Sequence, residues 1–242
     1  DATWQEAWQL VCRRLADDPT AQRDAAALAQ VLEARSSGSR NFFDSIGAEW
    51  DSLRTVFNDG ELRSRAISRL AEPGQTILDV GTGTGILALD LARLGMDVIG
   101  VDNSTSMLEA AQAKRDAQPP GRGSVTFERA EAHELPFPDG HVDAVLAHMV
   151  LHSLASPLDA ITEMARVVRT EGRVIVADFV AHRHEWMRNE LGVLWLGFDI
   201  DAVSGWFREA ELDTPEIEVH EPEGRGRELP ATFIASATKP GS

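Results

Sequence analysis

The sequence predicts an α/β domain: a seven-stranded, mostly parallel sheet with an antiparallel last strand, helices on both faces, and a helical N-terminal arm. Three observations predict it. After Gly74 short β-rich runs alternate with helical segments, as a parallel sheet covered by crossover helices requires. The first of these runs passes through closely spaced glycines straight into a helical stretch. The last two are joined by so short a link, Glu221 to Pro230, that they pair as antiparallel neighbours.

Taken in order, Trp4, Trp8, Val11, Cys12 and Leu15 recur at helical spacing, and Asp17-Asp18-Pro19-Thr20 breaks that helix and caps a second. The second carries Ala25, Leu28, Val31 and Leu32 on one stripe and is expected to end at Ser36-Ser37-Gly38-Ser39, where we place a boundary between an arm (1–40) and the main domain (41–242). Asn41 to Leu70 is again helical, with Phe42, Phe43, Trp50 and Phe57 adding aromatic bulk, a lid-like segment before the core at 73–242. The strands follow at Thr76–Val80, Asp97–Val101, Val125–Arg129, Val142–Ala147, Val174–Phe179, Ile217–His220 and Thr232–Ala237. Between them lie a helix from Ile86 to Leu94 stopped by Gly95, one capped by Ser104, and one opened by Ser156-Pro157 and ended by Gly172. A last one is marked by Val203, Trp206, Phe207 and Ala210.

With 242 residues and 43% hydrophobic content the chain can bury one large core. A formal net charge of −16, with Lys and Arg scattered along the chain, opposes phosphate backbones and anionic bilayers, so neither nucleic acid nor membrane is an expected partner of this chain. The single cysteine suits a reducing compartment, and no apolar run approaches the roughly 20 residues that span a bilayer. The opening Asp1-Ala-Thr-Trp4 lacks the regions of a signal peptide, so a cytoplasmic location is the expectation.

The chemistry gathers at Ile77-Leu-Asp79-Val-Gly81-Thr-Gly83-Thr-Gly85. Glycines at alternate positions let a ligand approach the backbone, and the helix that follows offers unpaired N–H groups. Asp102 ends the next strand, at about the 20-residue separation from which an acid grips ribose hydroxyls. Together they point to a nucleoside ligand.

In consecutive motifs the chain resembles the class I S-adenosylmethionine-dependent methyltransferases. The glycine turn is similar to that family's first motif, Val101-Asp102-Asn103-Ser-Thr-Ser-Met107-Leu to its second, Ala130-Glu131-Ala132 before Leu135-Pro-Phe137 to its third, and Val142-Asp-Ala-Val-Leu-Ala-His148 to its fourth. Val150-Leu-His152-Ser-Leu154 continues the likeness, which is of the ubiquinone/menaquinone-biosynthesis kind and implies a Rossmann-like core. It implies S-adenosylmethionine as cofactor, with Asp79, Gly81, Gly83 and Gly85 around its amino-acid end, Asp102 with Asn103 at the ribose, and Met107 against adenine. Glu131 and the Ala132 backbone would reach the adenine edge and His148 would lie beneath the sulfonium. Two departures stand out: Glu131 where Asp is more usual, and His148 where smaller polar residues are common. Asn41 to Asp51 and His184 to Phe198 also resemble methyltransferase domains fused behind arsenic-repressor-type winged helices, and residues 1–40 resemble that regulator's tail and linker. Arsenite is rejected as a substrate because one cysteine cannot supply several sulfur ligands.

His148 and His152 are four residues apart, the spacing of paired metal ligands on a helix, but His148 should end a strand and no Glu-x-x-His accompanies them. No metal is expected, and His182, His184 and Glu185 read as a polar helix start. His152 is the candidate base, with His148 beside it, for a small-molecule methyl acceptor with an O, N, C or S nucleophile. Two other readings stay open: a sensor that binds S-adenosylmethionine without turnover and dimerises through its N-terminal helices, and a nicotinamide dehydrogenase. The second is disfavoured because a dinucleotide fingerprint wants its third glycine where Ile86 stands.

Overall fold

The computed structural model describes residues 18–47, 50–51, 60–69, 73–119, 121–221 and 229–241. The expected helix from Trp4 to Leu15 lies outside them, as does most of the stretch around Phe57.

The centre is a seven-stranded sheet in the order β3-β2-β1-β4-β5-β7-β6, with β1 Thr76–Val80, β2 Asp97–Asp102, β3 Val125–Arg129, β4 Val142–His148, β5 Val168–Phe179, β6 Glu216–His220 and β7 Thr232–Thr238. The first five strands are parallel. β7 runs antiparallel between β5 and β6. That placement separates the sheet from the 3-2-1-4-5-6 order of dinucleotide folds and so counts against the dehydrogenase alternative. The middle strands are covered on both faces, and Ile77, Leu78, Val145, Leu146, Val174, Ile175 and Val176 are fully buried, which is why these stretches read as continuous apolar runs.

Helices α1 Pro19–Ile46, α2 Gly60–Ser68, α3 Ile86–Leu94, α4 Thr105–Asp116, α5 Pro157–Val167, α6 Trp186–Leu191 and α7 Ile200–Glu209 surround it, with a 3-10 turn at Leu151–Ser153. Asp18 caps α1 by accepting from the N–H groups of Thr20 and Ala21 at 2.7 and 3.0 Å. Ser104 caps α4, accepting from Met107 N–H, and left-handed Gly95 ends α3. No helix among the described residues is long and apolar enough to cross a membrane.

Two boundaries differ from the sequence expectation. α1 does not stop at Ser36–Ser39 but runs unbroken to Ile46. A helical glycine costs about 0.5–1 kcal/mol, and the far end is held by tertiary bonds: the Ser106 hydroxyl donates to the carbonyls of Phe43 and Asp44, and Ser104 donates to the Asp44 carboxylate at 2.6 Å. Likewise α5 ends at Val167, not at Gly172, and the chain turns directly into β5. Gly172 is there for close approach: a Cβ would meet the Asp143 carbonyl at 2.6 Å.

Candidate active site

The candidate site residues other than Gly85 line a crevice at the carboxyl ends of β1, β2 and β4, where an open α/β sheet leaves its opening. Two adjoining cavities lie there. The larger, about 360 Å³, is lined by Gly81, Gly83, Asp102, Asn103, Met107, Glu131 and Ala132, among others. The smaller, about 70 Å³, is lined by Asp79, Gly81, Gly83, His148 and His152 with the apolar Leu87, Phe179, Leu191 and Val193. Trp50 and Met149 line both.

The glycine turn divides its labour. Gly81, at φ +69°, would push a Cβ to 2.2 Å from Val150, so it keeps the β4 loop close. Gly85, at φ +76°, faces away from both cavities, and a Cβ there would meet Phe127 at 2.7 Å and Ala111 at 2.9 Å. It lets α3 settle on β3 and α4. Gly83, at φ +53°, meets no atom within 4 Å, so its missing side chain leaves ligand space. Its N–H donates to Asp102 at 2.9 Å, and the other Asp102 oxygen accepts from Ser104 N–H, also at 2.9 Å. Burial raises the Asp102 carboxyl above its ordinary value, against the downward pull of these N–H donors. Asp79, fully buried, accepts from the Thr82 hydroxyl at 2.6 Å.

Asn103 does not turn to the cavity alone: its amide donates to Glu131 at 3.0 Å and so orients that acid. Met107 and Ala132 supply buried apolar walls. An acid at the end of β2, a second acid beyond β3, apolar walls between them and an open glycine turn fit an adenosyl group with an amino-acid tail.

His148 ends β4 and His152 sits on the 3-10 turn, so they share the small cavity without sharing a helix. His152 is buried, and its Nδ1 lies 2.8 Å from Oδ1 of the fully buried Asp178. Met149 between them holds the left-handed conformation at φ +57°, a strained position of a kind that concentrates at functional sites. Sequence reasoning missed Asp178, although an acid inside the apolar run of β5 was a visible signal. His182 lies against Phe179, His184 lies beside His182 with its N–H donating to His182 Nδ1 at 3.2 Å, and Glu185 stands at the cap of α6. Among the described residues no group of three or more His, Cys, Asp or Glu is arranged to hold a metal.

The N-terminal segment closes the crevice. Phe43 and Trp50 pack edge to face at 5.2 Å and line the larger cavity, and Phe42 lies against Gly192 in the insertion after β5. From the other side the Trp195 indole donates to the Leu154 carbonyl at 2.8 Å.

Fold and site together define an adenosyl-binding α/β domain, and comparison with known proteins agrees. The family described as "Methyltransferase domain" matches residues 78–176. A demethylmenaquinone methyltransferase of Beutenbergia cavernae is 36% identical over 141 residues, 57% of this chain and 56% of that protein. A ubiquinone/menaquinone biosynthesis C-methyltransferase of Geobacter sp. (strain M21) is 30% identical over 157 residues, 62% of this chain and 66% of that protein. A putative methyltransferase solved in complex with the Haloferax volcanii Trm112 activator superposes with a TM-score of 0.65 at 22% identity, over 82% of this chain and 98% of that one. The chain thus spans 56% to 66% of the length of these curated relatives. Residues 78–176 match a methyltransferase domain, and the chain is similar to the class I S-adenosylmethionine-dependent methyltransferases. Within that class its sequence is similar to the quinone-biosynthesis type.

Proposed function

We propose that this chain is an enzyme that moves the methyl group of S-adenosylmethionine to a ring carbon of a small quinol. The observation that carries this reading is the pair of joined cavities: one fits an adenosyl group, and the other sets two histidines among apolar walls where its methyl end would lie. When bound, the cofactor supplies an already activated methyl on a sulfonium, so the protein's task is placement in a dry pocket, which can contribute on the order of 7–11 kcal/mol.

In this assignment Asp102 takes the ribose hydroxyls, Met107, Glu131 and Ala132 hold the adenine, and Asp79 with Gly81 and Gly83 receives the amino-acid end. His148 borders the methyl. Trp50, Phe179, Leu191 and Val193 suit a flat, uncharged ring. A quinone ring is electron-poor and cannot attack an electrophilic methyl, whereas the reduced ring, once an O–H is deprotonated, is nucleophilic at the adjacent carbon. In this reading His152 takes that proton. The names of the relatives, which specify demethylmenaquinone and carbon methylation, support the same acceptor.

The test is to incubate the chain with methyl-labelled S-adenosylmethionine and short-chain demethylmenaquinone kept reduced. Label in a ring methyl is expected. Cofactor binding without transfer to this quinol or to any of a phenol, thiol and amine panel would favour the sensor reading instead.

A further inference from the structure

Asp178 sits at the end of β5, fully buried, in a strand whose neighbouring inward residues are apolar. Burying a carboxylate there costs several kcal/mol unless its oxygens are occupied. They are. Oδ1 accepts from Phe179 N–H at 2.8 Å, Oδ2 accepts from His152 N–H at 3.2 Å, and the His152 ring meets Oδ1 at 2.8 Å. Two backbone N–H groups already donate to this carboxyl, an arrangement that favours its ionised, accepting form and with it a ring contact in which Nδ1–H donates.

The imidazole is held from other sides as well. The His152 carbonyl accepts from Leu194 and Trp195 N–H at 2.9 and 3.0 Å, and the ring lies against Phe179 with centroids 5.0 Å apart. Among the described residues, Asp178 of β5 meets the ring, Asp79 of β1 and His148 of β4 line the same small cavity, and His182 of the insertion lies across Phe179. A structural tie between β5 and the 3-10 turn needs only the one backbone bond from His152 N–H to Asp178 Oδ2, since the Phe179 N–H bond is local to β5. The third bond, to a ring that lines the small cavity, goes beyond that need.

We propose that Asp178 is the positioning residue of this site, holding His152 as the Nδ1–H tautomer so that its bare Nε2 accepts the proton of a hydroxyl on the methyl acceptor. The inference rests on the methyltransferase reading and narrows its substrate class to acceptors that must lose an O–H proton to react. In the step so assigned, the O–H pair shifts into the ring as the proton passes to Nε2. The ring carbon's pair forms the new bond to the methyl carbon, and the pair of the broken carbon–sulfur bond leaves with sulfur as a neutral thioether. The proton on the methylated carbon is then lost to water and the ring regains its aromaticity. The imidazolium formed in between is stabilised by the Asp178 carboxylate.

The test begins with the wild type. Nitrogen-15 shifts of His152 in the chain loaded with S-adenosylhomocysteine should show Nδ1–H and bare Nε2, and the opposite tautomer overturns the proposal. In Asp178→Asn the amide can still accept one of the backbone donors but donates to Nδ1, so the tautomer should flip. Turnover of reduced demethylmenaquinone should then fall by about 10²–10⁴ in kcat, with S-adenosylhomocysteine affinity kept within about twofold. The deficit should narrow above pH ~10, where a phenolic acceptor ionises unaided. A deficit independent of pH, or turnover within about threefold of wild type at neutral pH, contradicts the role. Should the variant fail to fold, the wild-type tautomer still decides. Methylation of a hydroxyl-bearing acceptor other than the quinol, with the Asp178→Asn deficit, keeps the positioning role and overturns the quinol reading, whereas a chain that binds S-adenosylhomocysteine but methylates no hydroxyl-bearing acceptor overturns the positioning role as well.

Discussion

The Thr84 hydroxyl donates to the Asp51 carboxylate at 2.6 Å, joining the aromatic N-terminal segment to the glycine turn of β1. The other Asp51 oxygen pairs with the Lys114 ammonium, which also donates to the Thr84 carbonyl. Neither Asp51 nor Lys114 lines the two cavities, yet together they seat Trp50, which lines both.

Asp51→Ala should therefore loosen the cover without removing any ligand contact. Losing a charge-assisted hydrogen bond of about 1.5–3 kcal/mol should weaken S-adenosylhomocysteine binding roughly tenfold or more. Lys114→Met should have a similar effect, and the double variant little more than either, because the pair acts as one unit. Calorimetric titration of the three variants checks this.

Two neighbouring glycines should fail in different ways. Gly81→Ala drives a methyl into Val150 and should destabilise the fold by about 1–3 kcal/mol through overpacking. Gly83→Ala meets no protein atom, so its stability loss should be limited to about 1 kcal/mol of left-handed strain while cofactor binding is lost. Denaturant unfolding and S-adenosylhomocysteine titration on both variants separate the two effects.

Cofactor binding should weaken in acid through Asp102. Two ribose hydroxyls need a carboxylate acceptor, and burial raises this carboxyl above its ordinary value. In the unliganded chain the raised value favours the protonated form, so this group's contribution to stability is present at low pH and is lost as pH rises through the folded value. Binding has the opposite sign, strengthening over that same interval, and Asp102→Asn should abolish the pH dependence along with most of the affinity.

His182 should make the fold acid-sensitive. Its burial, followed by the charges of His184 and His152, lowers it from 6.5 to about 4. The unfolded chain takes up a proton at about 6.5 and the folded chain only near 4, so stability falls as pH drops through that window. His182→Gln should flatten the thermal midpoint between those limits. An unchanged slope would place the sensitivity elsewhere.

What the sequence showed and what it hid divide along one physical line. Thr76–Val80 and Val125–Arg129 were legible to the residue because apolar β-rich runs sit between turn residues, and Asp102 and the glycines because the chain itself fixes their spacing. The length of α1 was hidden: Ser36 to Ser39 reads as a break locally, and the bonds from Ser104 and Ser106 that hold its last turn come from some 60 residues away. The partner of His152 was hidden for the same reason, since Asp178 reaches it from 26 residues on across a strand crossing. Gly85 was legible as a turn glycine, but only packing shows that its missing side chain makes room for Phe127 and Ala111.

The central claim is that the crevice at the carboxyl ends of β1, β2 and β4 is an S-adenosylmethionine site held by Asp102. The most direct measurement is calorimetric titration of the wild type and Asp102→Ala with S-adenosylhomocysteine and, separately, with NADH. One-site binding of S-adenosylhomocysteine alone, lost in Asp102→Ala, is the expected result. Binding of NADH in place of S-adenosylhomocysteine, or equal affinity in the two chains, would contradict the account.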